Sequence, residues 1–97
     1  MINTPEAQSC FIAEYYAQQH NGKTEHYSKF RTVQCSDYTV TINFCSEKSR
    51  ARKKIVFRKW NDSACSPVID ITGLDITQAE KKISDTPLVP LLDVGCV

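Results

Sequence analysis

The sequence lacks the short motifs that mark common enzymes. It has no G-x-S-x-G, H-E-x-x-H, P-loop or G-x-G-x-x-G pattern, so the nucleophile, zinc and phosphate sites that those motifs build are not indicated. It also has only three glycines in 97 residues, and phosphate-cradling loops depend on glycine. The sequence therefore predicts a protein that is not an enzyme and holds no cofactor.

The sequence also contains no long apolar run, and its opening does not have the pattern of a leader segment. No stretch approaches the ~18 consecutive apolar residues of a membrane-spanning helix. The opening MINTPEAQSCFIAEYY has no basic start followed by an apolar run, so it does not match a secretory signal. We therefore expect no membrane contact and a cytoplasmic location, or a nuclear one in a eukaryotic host, where basic runs serve as import signals.

The cysteines include no C-x-x-C pair and are odd in number. In a reducing compartment such residues are expected to be free thiols that pack as small apolar side chains. A structural disulfide or a reactive thiol is the alternative, and the sequence does not show which thiols react. The five residues are Cys10, Cys35, Cys45, Cys65 and Cys96.

Two small groups of residues carry side chains that could form a chemical site. His20, His26 and Cys35 could supply three metal ligands, but their spacing matches no zinc motif. Asp70 and Asp75 could form a carboxylate pair, but a strand end and a helix cap explain them better. The sequence therefore predicts no metal site and no catalytic residue.

The first segment is predicted to be a helix. Thr4 suits the N-cap, Pro5 the first helical position, and Asn21 or Gly22 the left-handed residue that ends a helix. The expected apolar face comprises Ala7, Cys10, Phe11, Tyr15 and Gln18, widened by Ile12 and Tyr16.

The middle of the chain changes to a period of two. In DYTVTINF, residues 37–44, apolar and polar residues alternate, which is typical of a half-buried strand. The segments 27–35 and 51–60 are predicted to be neighbouring strands, and VIDIT, residues 68–72, a short fourth strand.

A second helix is predicted after Gly73, with a capping box that begins at Asp75 or at Thr77. Its apolar face comprises Ile76, Ala79 and Ile83, and Pro87 ends it. The expected fold class is α+β, with a helix, a three- or four-stranded antiparallel sheet and a second helix, both helices on one face of the sheet. We expect a single domain over residues 1–86 and an extended apolar tail over 87–97 that packs on the domain or on a partner.

Charge is distributed very unevenly along the chain. Residues 48–59, KSRARKKIVFRK, carry +7, while residues 1–47 carry −2 and residues 61–97 carry −4. If Ile55 and Phe57 face the core, alternate residues share the outer face of that strand. Those residues are Arg52, Lys54, Val56, Arg58 and Trp60.

These features favour a small binding protein that modulates a macromolecular partner, of the kind that phages and viruses direct at host factors. A protein partner is favoured over nucleic acid, its surface should be acidic or phosphate-bearing, and a homodimer is left open. The alternative is a nucleic-acid-binding module in which the cations contact phosphates and Trp60 stacks on bases. A charged strand face can also serve only to keep the sheet in solution. The expected binding residues are Lys48, Arg50, Arg52, Lys54, Arg58 and Trp60, with Leu88, Val89, Leu91 and Leu92 in the tail.

Overall fold

The computed structural model describes residues 4–45 and 54–90. Within these ranges the chain forms two helices packed on one antiparallel sheet, which confirms the predicted α+β class. The sheet has seven strands, more than the three or four that were predicted. In chain order the elements are α1 (Pro5–His20), β1 (Lys23–His26), β2 (Phe30–Gln34), β3 (Thr39–Cys45), β4 (Lys54–Trp60), β5 (Ala64–Cys65), β6 (Ile69–Asp70), α2 (Ile76–Asp85) and β7 (Val89–Pro90).

The strands run in the order β1-β2-β3-β4-β5-β7, and β6 also pairs with β4. The longest pairing joins β3 to β4, with Thr39 opposite Trp60 and Cys45 opposite Lys54. β1 was missed in the sequence because its residues, KTEH, show no apolar alternation. β7 lies within the predicted tail, where Val89 pairs with Cys65 of β5.

Helix α1 begins and ends where the sequence predicted. The Thr4 hydroxyl accepts a 3.1 Å hydrogen bond from the backbone N–H of Ala7, and Asn21 closes the helix with a φ of 55°. The predicted apolar face was right only in part: Ile12 and Tyr16 are buried, but Phe11 is 50% exposed. Apolar residues occur all round this helix, so their spacing does not fix which side faces the sheet. The buried face comprises Pro5, Ser9, Ile12, Ala13, Tyr16 and Ala17.

Helix α2 resolves the ambiguity between its two candidate caps. Asp75 is the N-cap, and its carboxylate accepts a 2.8 Å hydrogen bond from the backbone N–H of Gln78. The Gln78 side chain accepts one in return from the N–H of Asp75, which completes a capping box. Ala79 and Ile83 are buried as predicted, whereas Ile76 at the first turn is 39% exposed.

Both helices cover the same face of the sheet. Their buried side chains form one cluster with the inward residues of the three central strands, so alternation places the intervening strand residues on the other face. We call that other side the open face. Among the described residues of β2, β3 and β4 it carries Phe30, Thr32, Gln34, Thr39, Thr41, Asn43, Lys54, Val56, Arg58 and Trp60. The core cluster comprises Ile12, Ala13, Tyr16, Ala17, Val33, Val40, Ile42, Ile55, Phe57, Ile71, Ala79 and Ile83.

Among the described cations of the basic run, Lys59 faces the helices. Lys59 is 7% exposed, and its Nζ donates to the carbonyl oxygens of Ile83, at 3.0 Å, and Thr86, at 2.7 Å. These carbonyls lie at the end of α2, where backbone acceptors lack helical partners and a positive charge is stabilising. Lys59 therefore fastens α2 to the sheet and contributes nothing to the outer charge.

Candidate functional site

Strand β4 presents its side chains to alternate faces, as the sequence predicted. Ile55 and Phe57 are 2% and 0% exposed, whereas Lys54 and Trp60 are exposed on the open face. Of the predicted binding residues, Lys54, Arg58 and Trp60 therefore share one surface. Lys48, Arg50 and Arg52 lie outside the described residues.

Trp60 is held in place on the open face. Its indole Nε1 donates a 2.8 Å hydrogen bond to Thr41 Oγ1 on β3, and 40% of the residue remains exposed. The hydrogen bond satisfies the polar atom of the ring. An aromatic side chain that is both anchored and accessible is well suited to bind a partner.

A depression of about 210 Å³ lies beside Trp60 on the open face. Val68, which is 59% exposed, forms part of its wall. The Arg58 Nε donates to the carbonyl oxygen of Ser66 at 3.4 Å, which places its guanidinium beside the apolar side chains. The depression is lined by Thr41, Asn43, Val56, Phe57, Arg58, Trp60 and Val68.

A second aromatic group lies at the far side of the open face. Tyr27, just after β1, stacks on Phe30 of β2 with ring centroids 4.7 Å apart, and Tyr27 is 46% exposed. Phe30 is opposite Asn43, which in turn is opposite Val56. The open face therefore carries aromatic rings on both sides of a polar centre.

The described part of the open face is less basic than the sequence run suggested. Asp70 lies opposite Val56; hydrogen bonds from Thr72 and the nearby charges of Lys54 and Lys82 lower the pKa of its carboxyl group. Asp70 is therefore ionised at neutral pH and offsets part of the Lys54 charge. Because Lys59 is buried, the described cations of the run on this face are Lys54 and Arg58.

Three polar side chains meet where α1 and α2 touch, and they resemble a catalytic triad only in composition. His20 Nε2 lies 2.7 Å from Glu80 Oε2 and 3.0 Å from the hydroxyl of Ser84. In a working triad the hydroxyl and the carboxylate bind different ring nitrogens, so that the acid orients the base. Here both share Nε2, so the contact joins the helices and does not activate Ser84.

Cys35 is a half-buried thiol beside the hydroxyl of Tyr38 and the ammonium of Lys59. Burial raises the pKa of the Cys35 thiol, although Tyr38 and Lys59 act in the opposite direction. A thiol with a raised pKa is mostly protonated at neutral pH and is a poor nucleophile. The absence of catalysis stays a prediction.

The histidines and Cys35 do not gather as the three ligands considered in the sequence. His20 is bound to Glu80, and Cys35 lies near Tyr38. His26 instead lies 2.9 Å from Glu14, measured from Nε2 to Oε2. Cys10 completes a separate group with these last two residues. Its position on α1, four residues before Glu14, was the signal in the sequence, but only the fold brings His26 to it.

The expectation of free thiols was right for two cysteines and wrong for a third. Cys10 and Cys35 are free, whereas Cys65 is disulfide-bonded. The wide spacing of the cysteines in the sequence gave no indication of which ones the fold would bring together. Cys96 lies outside the described residues.

The start of the predicted tail packs against the domain. Leu88 and Val89 are half-buried, and Val89 helps line a groove of about 750 Å³ between α2 and the β5–β7 corner. The groove is mainly apolar, with Pro67, Ile69 and Leu74 among its lining residues. Leu91 and Leu92 lie outside the described residues.

Within residues 4–45 and 54–90, neither helix has the length and apolar character that crossing a membrane requires. In comparisons with protein-family models, curated proteins and solved structures, the chain has no significant match.

Proposed function

We propose that this chain is a non-catalytic binding protein that engages a protein partner through the open face of its sheet. The observation that carries the proposal is the group formed by Trp60, Val68, Val56 and Arg58 around the depression. Tryptophan and arginine are the residues that most often dominate the binding energy of protein interfaces. An exposed apolar group with a polar rim is typical of a recognition surface.

The positive charges on and next to the open face favour a partner whose contact surface has an acidic rim. Lys54 and Arg58 lie on the open face, and the sequence places four further cations at positions 48–53, just before β4. Cations around an apolar centre steer association and exclude wrongly charged partners, while the centre supplies most of the affinity. Modulation of a host factor, as by small phage or viral proteins, is part of the proposal and rests on analogy.

The open face itself is the primary contact in this proposal, and the tail is secondary. Val89 pairs in the sheet and Leu88 is half-buried, so deletion of residues 88–97 should destabilise the domain. A truncated chain that stayed folded and lost the partner would instead make the tail the main contact. Circular dichroism and a binding measurement on the same truncated sample separate these two results.

Nucleic acid is the second candidate, and one observation favours it. The Tyr27–Phe30 stack and Trp60 place aromatic rings on both sides of the open face, and exposed aromatics on a sheet can stack on the bases of a single strand. Against this, Asp70 offsets Lys54 and Lys59 is buried. Phosphate contacts are therefore few on the described surface.

Fluorescence anisotropy with labelled single- and double-stranded DNA and RNA discriminates the two candidates. Measurements at about 50 and 200 mM salt should reveal phosphate contacts, because each one steepens the loss of affinity with salt. We expect no binding tighter than that of nonspecific contacts. The nucleic-acid proposal would replace the protein proposal if binding were tight and salt-dependent and were abolished in a Lys54→Glu, Arg58→Glu double variant. The control variant Lys81→Glu, Lys82→Glu should then still bind.

Affinity capture from an extract of the source cells tests the protein partner. Trp60→Ala should lose the partner that the wild-type chain retains. Phe11→Ala is the matched control, because Phe11 is an exposed aromatic on the helical side of the molecule. Equal capture by all three chains would contradict the assignment of the open face.

A further inference from the structure

We propose that Cys10, Glu14 and His26 form a site for a thiophilic divalent metal ion, with Zn²⁺ as the expected occupant. One ligand atom from each residue, the Cys10 sulfur, a Glu14 carboxylate oxygen and a His26 ring nitrogen, lies within 4.8 Å of the other two. This site is independent of the open face and of the partner proposed for it.

The fold places the three side chains together from two elements. Cys10 and Glu14 are four residues apart on α1, so they lie on the same side of the helix. His26 ends β1, where its opposite residue, Arg31, is buried toward the helices. His26 therefore lies on the helix-covered side of the sheet, at the edge strand that α1 overlies.

The distances are close to those that a metal ion would impose. In a tetrahedral zinc site the Zn–S and Zn–N bonds, about 2.3 and 2.0–2.1 Å, separate the ligand atoms by roughly 3.3–3.8 Å. The His26 and Glu14 atoms are already 2.9 Å apart, so that pair must open slightly. The Cys10 sulfur lies no more than 4.8 Å from the other two ligand atoms. It therefore has to move inward by at most about 1.5 Å, a change that side-chain rotation can supply.

The ligand set selects the class of ion. A thiolate is a soft ligand, an imidazole is intermediate and a carboxylate is hard, and a mixture of sulfur and nitrogen suits Zn²⁺ much better than Mg²⁺ or Ca²⁺. Three protein ligands leave a fourth position for water or for a group from another molecule.

A neighbouring hydroxyl supports the arrangement. Thr24 Oγ1, on β1, donates a 3.2 Å hydrogen bond to Glu14 Oε2. Hydrogen bonds of this kind orient a ligating carboxylate, and their removal typically weakens metal binding about 10- to 100-fold. Glu14 and His26 are both partly exposed, so an ion has an open route to the site.

Titration with Co²⁺ tests the site, because cobalt reports its own ligands by absorption. The wild-type chain, in anaerobic buffer without added thiols, should develop a near-ultraviolet band from the cobalt–thiolate bond and visible bands of a four-coordinate ion. Zn²⁺ should displace the cobalt and abolish the bands, whereas Mg²⁺ should not. The absence of a thiolate band in the wild-type chain would overturn the proposal.

Matched variants assign the ligands. Cys10→Ser should lose the thiolate band, while Cys35→Ser, which removes the other described free thiol, should keep it. His26→Gln should weaken Co²⁺ binding at least tenfold, and Thr24→Val about 10-fold. Glu14→Gln and His26→Gln alter exposed side chains, so they keep the test decisive if Cys10→Ser fails to fold. A band that survives Cys10→Ser or is unaffected by His26→Gln would refute the assignment.

Discussion

The indole Nε1 of Trp60 donates a 2.8 Å hydrogen bond to the hydroxyl of Thr41 on the neighbouring strand. This contact ties an exposed aromatic side chain of the open face to a central strand of the sheet. An interface residue fixed in this way loses little conformational freedom on binding, so more of its contact energy contributes to affinity.

Thr41→Val should loosen the indole without removing it. The change deletes the acceptor of one partly exposed hydrogen bond, for which we expect a loss of about 0.5–1.5 kcal/mol in the free energy of unfolding. Trp60 is the single tryptophan, so iodide quenching of tryptophan fluorescence reports its exposure directly. Quenching should be stronger in Thr41→Val than in the wild-type chain. It should be unchanged in Thr32→Val, a control on β2. Equal quenching in these two variants and the wild-type chain would show that Thr41 does not hold the ring.

Lys59 should be important for stability, unlike the other described lysines of the run and of α2. Lys59→Ala removes buried aliphatic contacts and two hydrogen bonds to the end of α2, for which we expect a loss of about 2–4 kcal/mol. Lys59→Met keeps most of the aliphatic chain and should lose less. Urea unfolding measures both, with Lys81→Ala, at an exposed surface ion pair, as a control expected to change little. A Lys59→Ala chain as stable as Lys81→Ala would contradict the buried position.

The paired hydroxyls of Tyr16 and Tyr38 should make the fold sensitive to strong alkali. Burial raises the pKa of Tyr16, and the hydrogen bond with Tyr38 raises it further; burial also raises the pKa of Tyr38. The unfolded chain therefore releases these protons near the ordinary value of 10.0 while the folded chain retains them. The stability that Tyr16 provides is fully present below pH 10 and is lost as the pH rises above it, by about 1.4 kcal/mol per pH unit. Tyr38 acts in the same direction.

The titration of Lys59 changes the free energy of unfolding in the opposite direction and over a lower pH range. Burial lowers the pKa of Lys59 from its ordinary 10.5, so its contribution to the unfolding free energy rises with pH up to that value and then stays constant. Above about pH 10.5 Lys59 therefore adds no further change, and the decline that remains comes from groups whose pKa is raised in the fold, which include Cys35 as well as the tyrosines. Comparison with Tyr16→Phe separates the share of Tyr16. Urea unfolding at several pH values in that range should show a steep decline in the wild-type chain and a shallower one in Tyr16→Phe. Parallel declines would show that Tyr16 does not retain its proton.

The disulfide at Cys65 should contribute measurably to stability. Disulfides typically add about 2–4 kcal/mol by restricting the unfolded chain, so reduction should lower the melting temperature, and Cys65→Ala should lower it to the same extent. Cys35→Ala controls for the loss of a thiol. Melting that is unaffected by reduction, or peptide mapping that finds Cys65 free, would contradict this. Because disulfides persist mainly in oxidising compartments, the thiol state of Cys65 in cells also tests the predicted cytoplasmic location.

The sequence predicted those structural features that a local residue pattern determines by itself. The Thr4 cap, the alternation along β4 and the α+β class follow from local rules. For α2 the same rules narrowed the cap to Asp75 or Thr77, and the structure shows Asp75. The side of α1 that faces the sheet was predicted only in part. Ile12 and Tyr16 are buried, whereas Phe11 is exposed, because tertiary packing decides which side of a helix is buried when apolar residues occur all round it.

Other features depended on contacts between distant segments. β1 has no apolar alternation and becomes a strand by pairing with β2, so its sequence could not reveal it. The burial of Lys59 could have been found, because it shares parity with Ile55 and Phe57, but its charge argued for exposure. The site formed by Cys10, Glu14 and His26 requires α1 to lie over β1, which spacing alone does not show.

Site-specific photo-crosslinking tests most directly whether the open face binds a protein. A photoreactive amino acid at position 68, where Val68 is 59% exposed beside Trp60, is compared with the same group at position 11 on the helical side. In an extract of the source cells we expect position 68 to form an adduct with one protein. An excess of unlabelled wild-type chain should abolish that adduct, an excess of Trp60→Ala should not, and position 11 should give none. Two results would contradict binding through the open face. One is an adduct that forms from position 11 alone. The other is an adduct from position 68 that an excess of Trp60→Ala displaces as well as the wild-type chain does.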